Sequence, residues 1–256
     1  MRSIAPELSC LFLMISAAAQ PPATRTPQDG VSLGTLGEGD PATRAAVRSR
    51  PTPPPGAAAK TSDGRPDFSG VYYGPGGNLM AKPDLLPWAQ ELVKLRAENH
   101  GKDSPVARCL PAGPLRLSPI FKVVQTPSLI MLVVEEEGYR QIFLDGRGHP
   151  KDANPTWYGH SISKWDGDTL VVDTVGFNDV GTLNADGVPH TERMRLLERF
   201  RRKDLGHLEI EATVEDSGVF AKPWTTKRVA ILAPGEEIME FICNENNRDP
   251  RHMVGK

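Results

Sequence analysis

A long stretch of alternating apolar and polar residues constrains this chain more than any other feature. From Phe121 onward the alternation has a period of two, which is typical of strands with one buried face. Turn sequences separate the runs at Glu137-Gly138, Asp145-Gly146, Asp166-Gly167, Leu205-Gly206 and Pro234-Gly235. The predicted strands are 121–126, 128–136, 139–145, 160–165, 169–176, 192–202, 207–215, 223–232 and 237–243. They predict a mostly β fold, an antiparallel up-and-down barrel of calycin type or a strongly curved meander, because closing the sheet removes its unpaired edges.

One helix is predicted ahead of these strands. The folded domain begins at a short β-type run, residues 67–73, and continues to residue 256 as a single β-rich domain. The helix signals are Asp84 as N-cap, Trp88, Leu92 and Leu95 on one face, and Gly101 as the end. This pattern predicts an amphipathic helix that packs on the sheet through its apolar stripe.

The N-terminal region has the pattern of an exported protein. Residues 1–19 combine a positive start, an apolar run at 8–15 and three alanines before Gln20, as in a secretory signal peptide. Residues 20–66 carry nine prolines and no periodic apolar pattern, which predicts a disordered or polyproline-like leader. We therefore expect a periplasmic or secreted protein, with no membrane span because no run of 18 apolar residues occurs.

The cysteines agree with export. Of the three in the chain, Cys10 lies in the signal peptide, which leaves Cys109 and Cys243 in the mature protein. An oxidising compartment allows these two to form one disulfide bond. Two buried free thiols are the alternative.

Charge gives no general reason to expect nucleic acid as a partner. The chain has 30 Lys and Arg against 32 Asp and Glu, a net charge of −2. The basic run 193–203 is interrupted by Glu198, and its arginines alternate along one strand. That alternation favours a solvated outer face over a nucleic-acid track.

Four segments together are specific enough to suggest relatives. They are 63–71 (DGRPDFSGV), 155–161 (PTWYGHS), 165–174 (WDGDTLVVDT) and 243–247 (CNENN). Over residues 63–250 the chain resembles a large group of exported, uncharacterised bacterial proteins. The resemblance implies an exported β-rich domain and carries no activity with it.

The hairpin 160–173 contains the first candidate for chemistry. A two-residue turn at Asp166-Gly167 would place His160 opposite Asp173, within reach of a hydrogen bond. The carboxylate would orient the imidazole and favour its protonated form, a pairing that acid–base catalysis uses. A bulged turn of three residues would put Thr174 opposite His160 instead. A buried polar pair that only fixes the register is the structural alternative.

Glu198 is the second candidate. Its neighbours at even positions, Met194, Leu196 and Phe200, are apolar, so the alternation turns Glu198 toward the core. A carboxyl group there is either paired with an inward arginine or raised in pKa by desolvation, as a general acid requires. A bulge that turns Glu198 outward is the alternative.

Aromatic and polar residues near the strand ends predict a ligand pocket at the barrel mouth. The predicted ligand-binding residues are Trp157, Tyr158, His190, Trp224 and Glu245. His149 and His190, with His160 and Asp173, offer nitrogen and oxygen ligands for a divalent metal, but no metal-binding motif with diagnostic spacing occurs. We predict neither a metal nor another cofactor.

Two functions fit these residues. The first is an exported barrel that binds a small molecule through a polar His, Asp and Glu cluster in an apolar pocket. The alternative is a cofactor-independent acid–base enzyme, a lyase, isomerase or hydrolase, with His160 as base, Asp173 as its orienting carboxylate and Glu198 as acid. A covalent serine or cysteine hydrolase is disfavoured, since the GxSxG turn is absent and the mature cysteines are expected to pair.

Overall fold

Nine strands form a closed barrel in chain order. The computed structural model describes residues 51–74, 82–99, 102–117, 120–135, 138–152, 154–184 and 186–245. The strands are β1 (Gly70–Tyr73), β2 (Ile120–Gln125), β3 (Leu129–Val134), β4 (Gly138–Phe143), β5 (His160–Asp166), β6 (Thr169–Val175), β7 (Arg195–Arg202), β8 (His207–Glu215) and β9 (Trp224–Leu232). Each strand pairs with its neighbours in sequence, and β1 pairs with β9. The expectation of a mostly β chain closed into a barrel is confirmed.

One pair of strands in the barrel is parallel. β4 and β5 run in the same direction and share two residue pairs, Ile142↔Ser161 and Phe143↔Ile162. A closed ring with an odd number of sequential strands cannot be antiparallel at every junction, so the fully antiparallel barrel predicted from the sequence is wrong here. The connection 144–159 is long because a parallel pair needs a crossover.

Barrel closure comes from the start of the domain rather than from its end. β1 pairs with β2 on one side and with β9 on the other, where Tyr72 lies opposite Leu232. The strand predicted at 237–243 is wrong, since these residues have no strand structure. The edge of β9 that such a strand would use is already occupied by β1.

The β5–β6 hairpin turns one residue later than expected. Asp166 pairs with Thr169, so the central turn residues are Gly167 and Asp168. Gly167 has a φ of 57°, which suits the first central position of a hairpin turn that requires glycine. His160 therefore lies opposite Val175, and both registers predicted from the sequence are wrong.

In the part of the chain that the structure describes, one α-helix, α1, spans Pro87–Glu98, and a 3₁₀ turn follows at Pro105–Arg108. Leu86 rather than Asp84 is the N-cap, and Pro87 occupies the first helical turn, where its missing N–H costs nothing. Of the predicted apolar stripe, Trp88 and Leu95 are exposed. Ala89 is buried and Val93 packs against the core instead, so that stripe was wrongly assigned.

The barrel interior consists of two apolar clusters with polar residues between them. The first cluster includes Tyr72, Phe121 and Leu170, and the second includes Leu196, Val214 and Trp224. The polar residues buried on inner strand faces between them, here called the polar layer, are Arg140, Ser161, Thr174, Glu198, Thr226 and Arg228. Burying a charged group inside a barrel destabilises the folded state unless the charge is paired, so the partners of these side chains decide what the polar layer contributes.

The regions outside the strands agree with the sequence predictions in part. Cys109 and Cys243 form the predicted disulfide bond. Of residues 51–66, expected in the disordered leader, 53–56 lie against the β7–β8 turn, where the Leu205 amide donates to the Gly56 carbonyl at 3.0 Å. The predicted signal peptide, 1–19, and residues 20–50 of the predicted leader lie outside the described residues. Within the described chain, no helix has the length and apolar character needed to cross a membrane.

Candidate functional site

An open cleft with a volume of about 510 Å³ lies over the junction of β4 and β5. We call it the aromatic cleft because four aromatic side chains line it, Tyr139, Phe143, Trp157 and Tyr158. His160, Arg140 and Ser161 line it as well. Arg140 and Ser161 also belong to the polar layer, so the cleft adjoins the barrel interior.

The cleft lies at a short junction of the barrel wall. β4 and β5 share two residue pairs, whereas β5 and β6 share seven. Gly159 turns the chain into β5 with a φ of 65°, and a Cβ there would come within 2.7 Å of the Val175 carbonyl oxygen. Only glycine fits this close approach, which positions Trp157 and Tyr158 beside the strand end.

His160 belongs to a cluster on the outer face of the wall. Its ring stacks on Phe143 with centroids 5.3 Å apart. Its Nδ1 lies 3.0 Å from Nδ1 of His149, and Nε2 of His149 lies 3.7 Å from Oδ2 of Asp173. Arg195 binds both Asp173 oxygens, Nε to Oδ1 at 2.9 Å and Nη2 to Oδ2 at 2.8 Å. His149 therefore stands between the two residues predicted to form a direct pair.

The electrostatics of this cluster differ from the prediction. Burial lowers the pKa of His160, and the charges of His149 and Arg147 lower it further. The bidentate bond from Arg195 lowers the pKa of Asp173. His160 is thus held in its neutral form, while Asp173 is held as a carboxylate by Arg195. The expected protonated imidazole beside Asp173 does not fit this arrangement.

Glu198 lies inside the barrel, where the alternation along β7 places it. Its side chain is 2% exposed, and Oε2 lies 2.6 Å from Nη2 of Arg140. The same guanidinium donates from Nε to Ser161 Oγ at 3.0 Å and from Nη2 to Thr174 Oγ1 at 2.7 Å. Glu198 is therefore paired with an inward arginine, the first of the two roles that the sequence left open.

The three predicted catalytic residues do not meet in one cavity. His160 and Asp173 lie on the outer face of the sheet, and Glu198 lies on the inner face. The sheet itself separates them. Ser161, which follows His160, points inward and belongs to the polar layer. Adjacent residues of β5 thus lie on opposite faces of the barrel wall.

The other predicted ligand-binding residues are dispersed. Trp157 and Tyr158 line the aromatic cleft. His190 is buried edge-on against Phe177, and burial lowers its pKa. Trp224 packs in the second core cluster, and Glu245 is exposed in the turn that ends the described chain.

Two arginines of the polar layer were missed by sequence reasoning. Arg140 alternates with inward-facing Ile142, and Arg228 alternates with inward-facing Ala230 and Leu232. The alternation of inward and outward positions that identified Glu198 as inward-facing applies equally to both arginines. A charged residue at an inward position of an apolar strand was therefore the signal that could have found them.

Known proteins provide no template for this site. Comparison of the chain with protein families, curated proteins and solved structures finds no match. Across the described ranges, no group of three or more His, Cys, Asp and Glu side chains is arranged to hold a metal ion.

Proposed function

We propose that the protein binds a small, planar and largely apolar molecule in the aromatic cleft. The observation that carries the proposal is the set of aromatic walls, Tyr139, Phe143, Trp157 and Tyr158, around an open volume of about 510 Å³. Pockets that bind small molecules combine apolar and aromatic walls with a few polar groups. Aromatic walls favour ligands with flat rings, since offset and edge-on contacts stabilise ring pairs.

The polar groups of the cleft favour an uncharged ligand. His160 is held neutral and its Nδ1 contacts Nδ1 of His149, so its Nε2 can donate or accept one hydrogen bond. Arg140 is nearly buried and its charge is taken up by Glu198 at 2.6 Å. Since Glu198 already neutralises Arg140, a hydroxyl or carbonyl group on the ligand would match these polar groups better than a ligand carboxylate would.

Export remains part of this proposal. A disulfide bond between Cys109 and Cys243 is typical of proteins that mature in an oxidising compartment. Such a protein would meet its ligand in the periplasm or outside the cell. N-terminal sequencing of the mature protein should give a start near Gln20.

The binding proposal can be tested with N-phenyl-1-naphthylamine, a neutral aromatic probe that fluoresces in apolar surroundings. We expect one saturable site in the wild-type protein. Trp157→Ala removes one aromatic wall and should weaken the affinity by about tenfold, the equivalent of roughly 1.4 kcal/mol. The matched control is Trp88→Ala on the exposed face of α1, which should leave the affinity unchanged. Equal affinities in the wild type and Trp157→Ala would contradict the proposal.

Acid–base catalysis is the second candidate, and the His149–His160 contact is the observation that favours it. The Nδ1 atoms of the two rings lie 3.0 Å apart, so one of them donates to the other. With the His149 proton on Nε2, which lies 3.7 Å from Oδ2 of Asp173, Nδ1 of His149 accepts the Nδ1 proton of His160. Nε2 of His160 then carries a lone pair and can act as a base beside the cleft. Glu198 has no part in this chain, because it lies on the inner side of the sheet.

A further inference from the structure

The inner face of β9 presents polar groups without partners. Trp224, Thr226 and Arg228 occupy alternate positions of this strand and are all buried. Among the described residues, no hydrogen-bond partner exists for Trp224 Nε1, Thr226 Oγ1, Arg228 Nε or Arg228 Nη2. Buried donors are almost always paired in folded proteins, so four such atoms on one strand point to a ligand.

A second buried arginine shows how unusual Arg228 is. Arg202, on the inner face of β7, donates from Nε to the Asp204 carbonyl at 3.1 Å and from Nη2 to the Leu205 carbonyl at 2.7 Å. Its Nη1 donates to the Asp67 carbonyl at 3.2 Å and to the Tyr72 hydroxyl. Among the residues that the structure describes, Arg228 donates a hydrogen bond from Nη1 alone, to the Leu115 carbonyl. One arginine is thus satisfied by the protein and the other is not.

The charges of the polar layer do not balance. Glu198 faces two guanidinium groups, and it lies 2.6 Å from Arg140 but 3.9 Å from Arg228. The remaining positive charge lies on Arg228, whose side chain is 3% exposed. Burial accordingly lowers the pKa of Arg228. A buried cation that shares its one counter-charge with a closer arginine destabilises the folded state, and an anion would compensate it.

The shape of the unpartnered edge indicates which anion. Nε and Nη2 form one side of a guanidinium, and two parallel hydrogen bonds from that side match a carboxylate. The same two atoms of Arg195 bind the two oxygens of Asp173 at 2.9 and 2.8 Å. We infer that Arg228 binds the carboxylate of a small organic acid inside the barrel, with Thr226 as a further hydrogen-bond donor.

A small side chain lies across the sheet from Thr226. Thr226 lies opposite Ala212 on β8, and Ala212 lies opposite Glu198 on β7. Nine strands enclose slightly more space than the eight that side chains alone can fill. This site on β9 is separate from the aromatic cleft, so it does not depend on the function proposed for the cleft.

Formate is the probe for this site, because it is the smallest carboxylate. The wild-type protein should gain thermal stability with sodium formate in a saturable manner, since a ligand bound only by the folded state raises Tm. Sodium chloride at the same ionic strength gives the non-specific salt effect. We expect formate to raise Tm more than chloride does. Above the dissociation constant, Tm should increase with the logarithm of the formate concentration.

Two substitutions locate the effect. Arg228→Lys keeps the positive charge but loses the two-donor edge, and should weaken formate binding by at least about tenfold. Thr226→Val keeps the side-chain shape but loses the hydroxyl, and should weaken binding by about three- to tenfold. The matched control is Arg199→Lys on the exposed outer face of β7, which should respond to formate as the wild type does.

The direct measurement is the ¹H–¹⁵N signal of the Arg228 Nε–H group during a formate titration, assigned through Arg228→Lys or, if that variant does not fold, by selective labelling. A saturable shift of this signal, reduced in Thr226→Val, supports the site. The inference is overturned if formate and chloride act alike on the wild type. It is equally overturned if Arg228→Lys binds formate as tightly as the control variant.

Discussion

The two sides of the barrel are joined very differently. β7, β8 and β9 share eight residue pairs at each of their junctions, while β4 and β5 share two. The well-paired side forms a closed wall, and its outer face carries exposed ion pairs. The β4–β5 side carries the aromatic cleft, and there Arg140 and Ser161 connect the cleft to the polar layer. The proposed ligand site thus lies at a short strand junction, where local opening costs less free energy than in a longer ladder.

The outer and inner faces of the barrel wall both contain ion pairs, but in different surroundings. On the outer face of the wall, Lys227 pairs with Glu211 at 2.8 Å in contact with solvent. Inside, Arg140 pairs with Glu198 at 2.6 Å in a layer that solvent barely reaches. Water screens the outer pair, whereas the inner pair has only its protein partners to stabilise the charges.

The largest effect is expected from Glu198→Gln. This change leaves Arg140 and Arg228 without a counter-charge inside the barrel, and should reduce the free energy of unfolding by about 3–5 kcal/mol. The matched control, Glu211→Gln on the outer face of β8, should cost less than about 1 kcal/mol. Urea unfolding of both variants measures the difference. Similar losses of unfolding free energy in the two variants would mean that the Arg140–Glu198 pair is screened by solvent as the outer pair is.

An intermediate effect is expected in hydrogen exchange. Amides at the β4–β5 junction, in Ile142, Phe143 and Ile162, should exchange at least about tenfold faster than those in the middle of β8, because a ladder of two pairs opens more easily. Mass spectrometry of the native protein resolves the two regions. Saturation of the aromatic cleft with N-phenyl-1-naphthylamine should slow exchange at the junction alone. Uniform protection around the barrel would contradict the contrast between its two sides.

The smallest effect concerns His160. Its pKa is lowered by burial and by His149 and Arg147, so the folded state binds this proton less readily than the unfolded state. As the pH falls below about 6.5, the free energy of unfolding should therefore decrease. His160→Gln removes this contribution and should make the decrease shallower. Asp173→Asn should retain it, because Asp173 is not among the groups that shift His160.

The same residue provides a test of the proton chain. NMR of ¹⁵N-labelled histidine should find the His160 proton on Nδ1 at neutral pH. A proton on Nε2 would exclude His160 as the base of an acid–base enzyme while leaving ligand binding possible. The pH dependence of stability and the position of the His160 proton both report on the β4–β5 side of the barrel. Neither should change with substitutions on the outer face of β8.

Local patterns predicted the strands well, because alternation is a property of each strand alone. Glu198 was placed on the inner face for that reason, and the disulfide between Cys109 and Cys243 followed from cysteine number and export. The end of the barrel was mispredicted, since the partner of β9 is decided by competition. β1 occupies the edge that residues 237–243 were expected to fill.

The candidate site was harder to predict for a similar reason. A shift of one residue in the turn at Gly167 moves the partner of His160 from Asp173 to Val175. The contact with His149 depends on the long connection 144–159, whose path no periodicity describes. Aromatic residues near a strand end, such as Trp157, could be recognised as candidates, but the cleft they line lies at the parallel β4–β5 junction, which the alternation did not indicate.

The pairing of β1 with β9 has a consequence for how the chain assembles. Tyr72 and Leu232 lie near opposite ends of the domain sequence, so the ring cannot close until almost the whole domain is available. Contacts of such long sequence separation form slowly, and until then β1 and β9 are exposed edges that can pair with another chain. The Cys109–Cys243 bond links the segment before β2 to the segment after β9. Once oxidised, it keeps the last strand near the first and shortens the time during which the open sheet can aggregate.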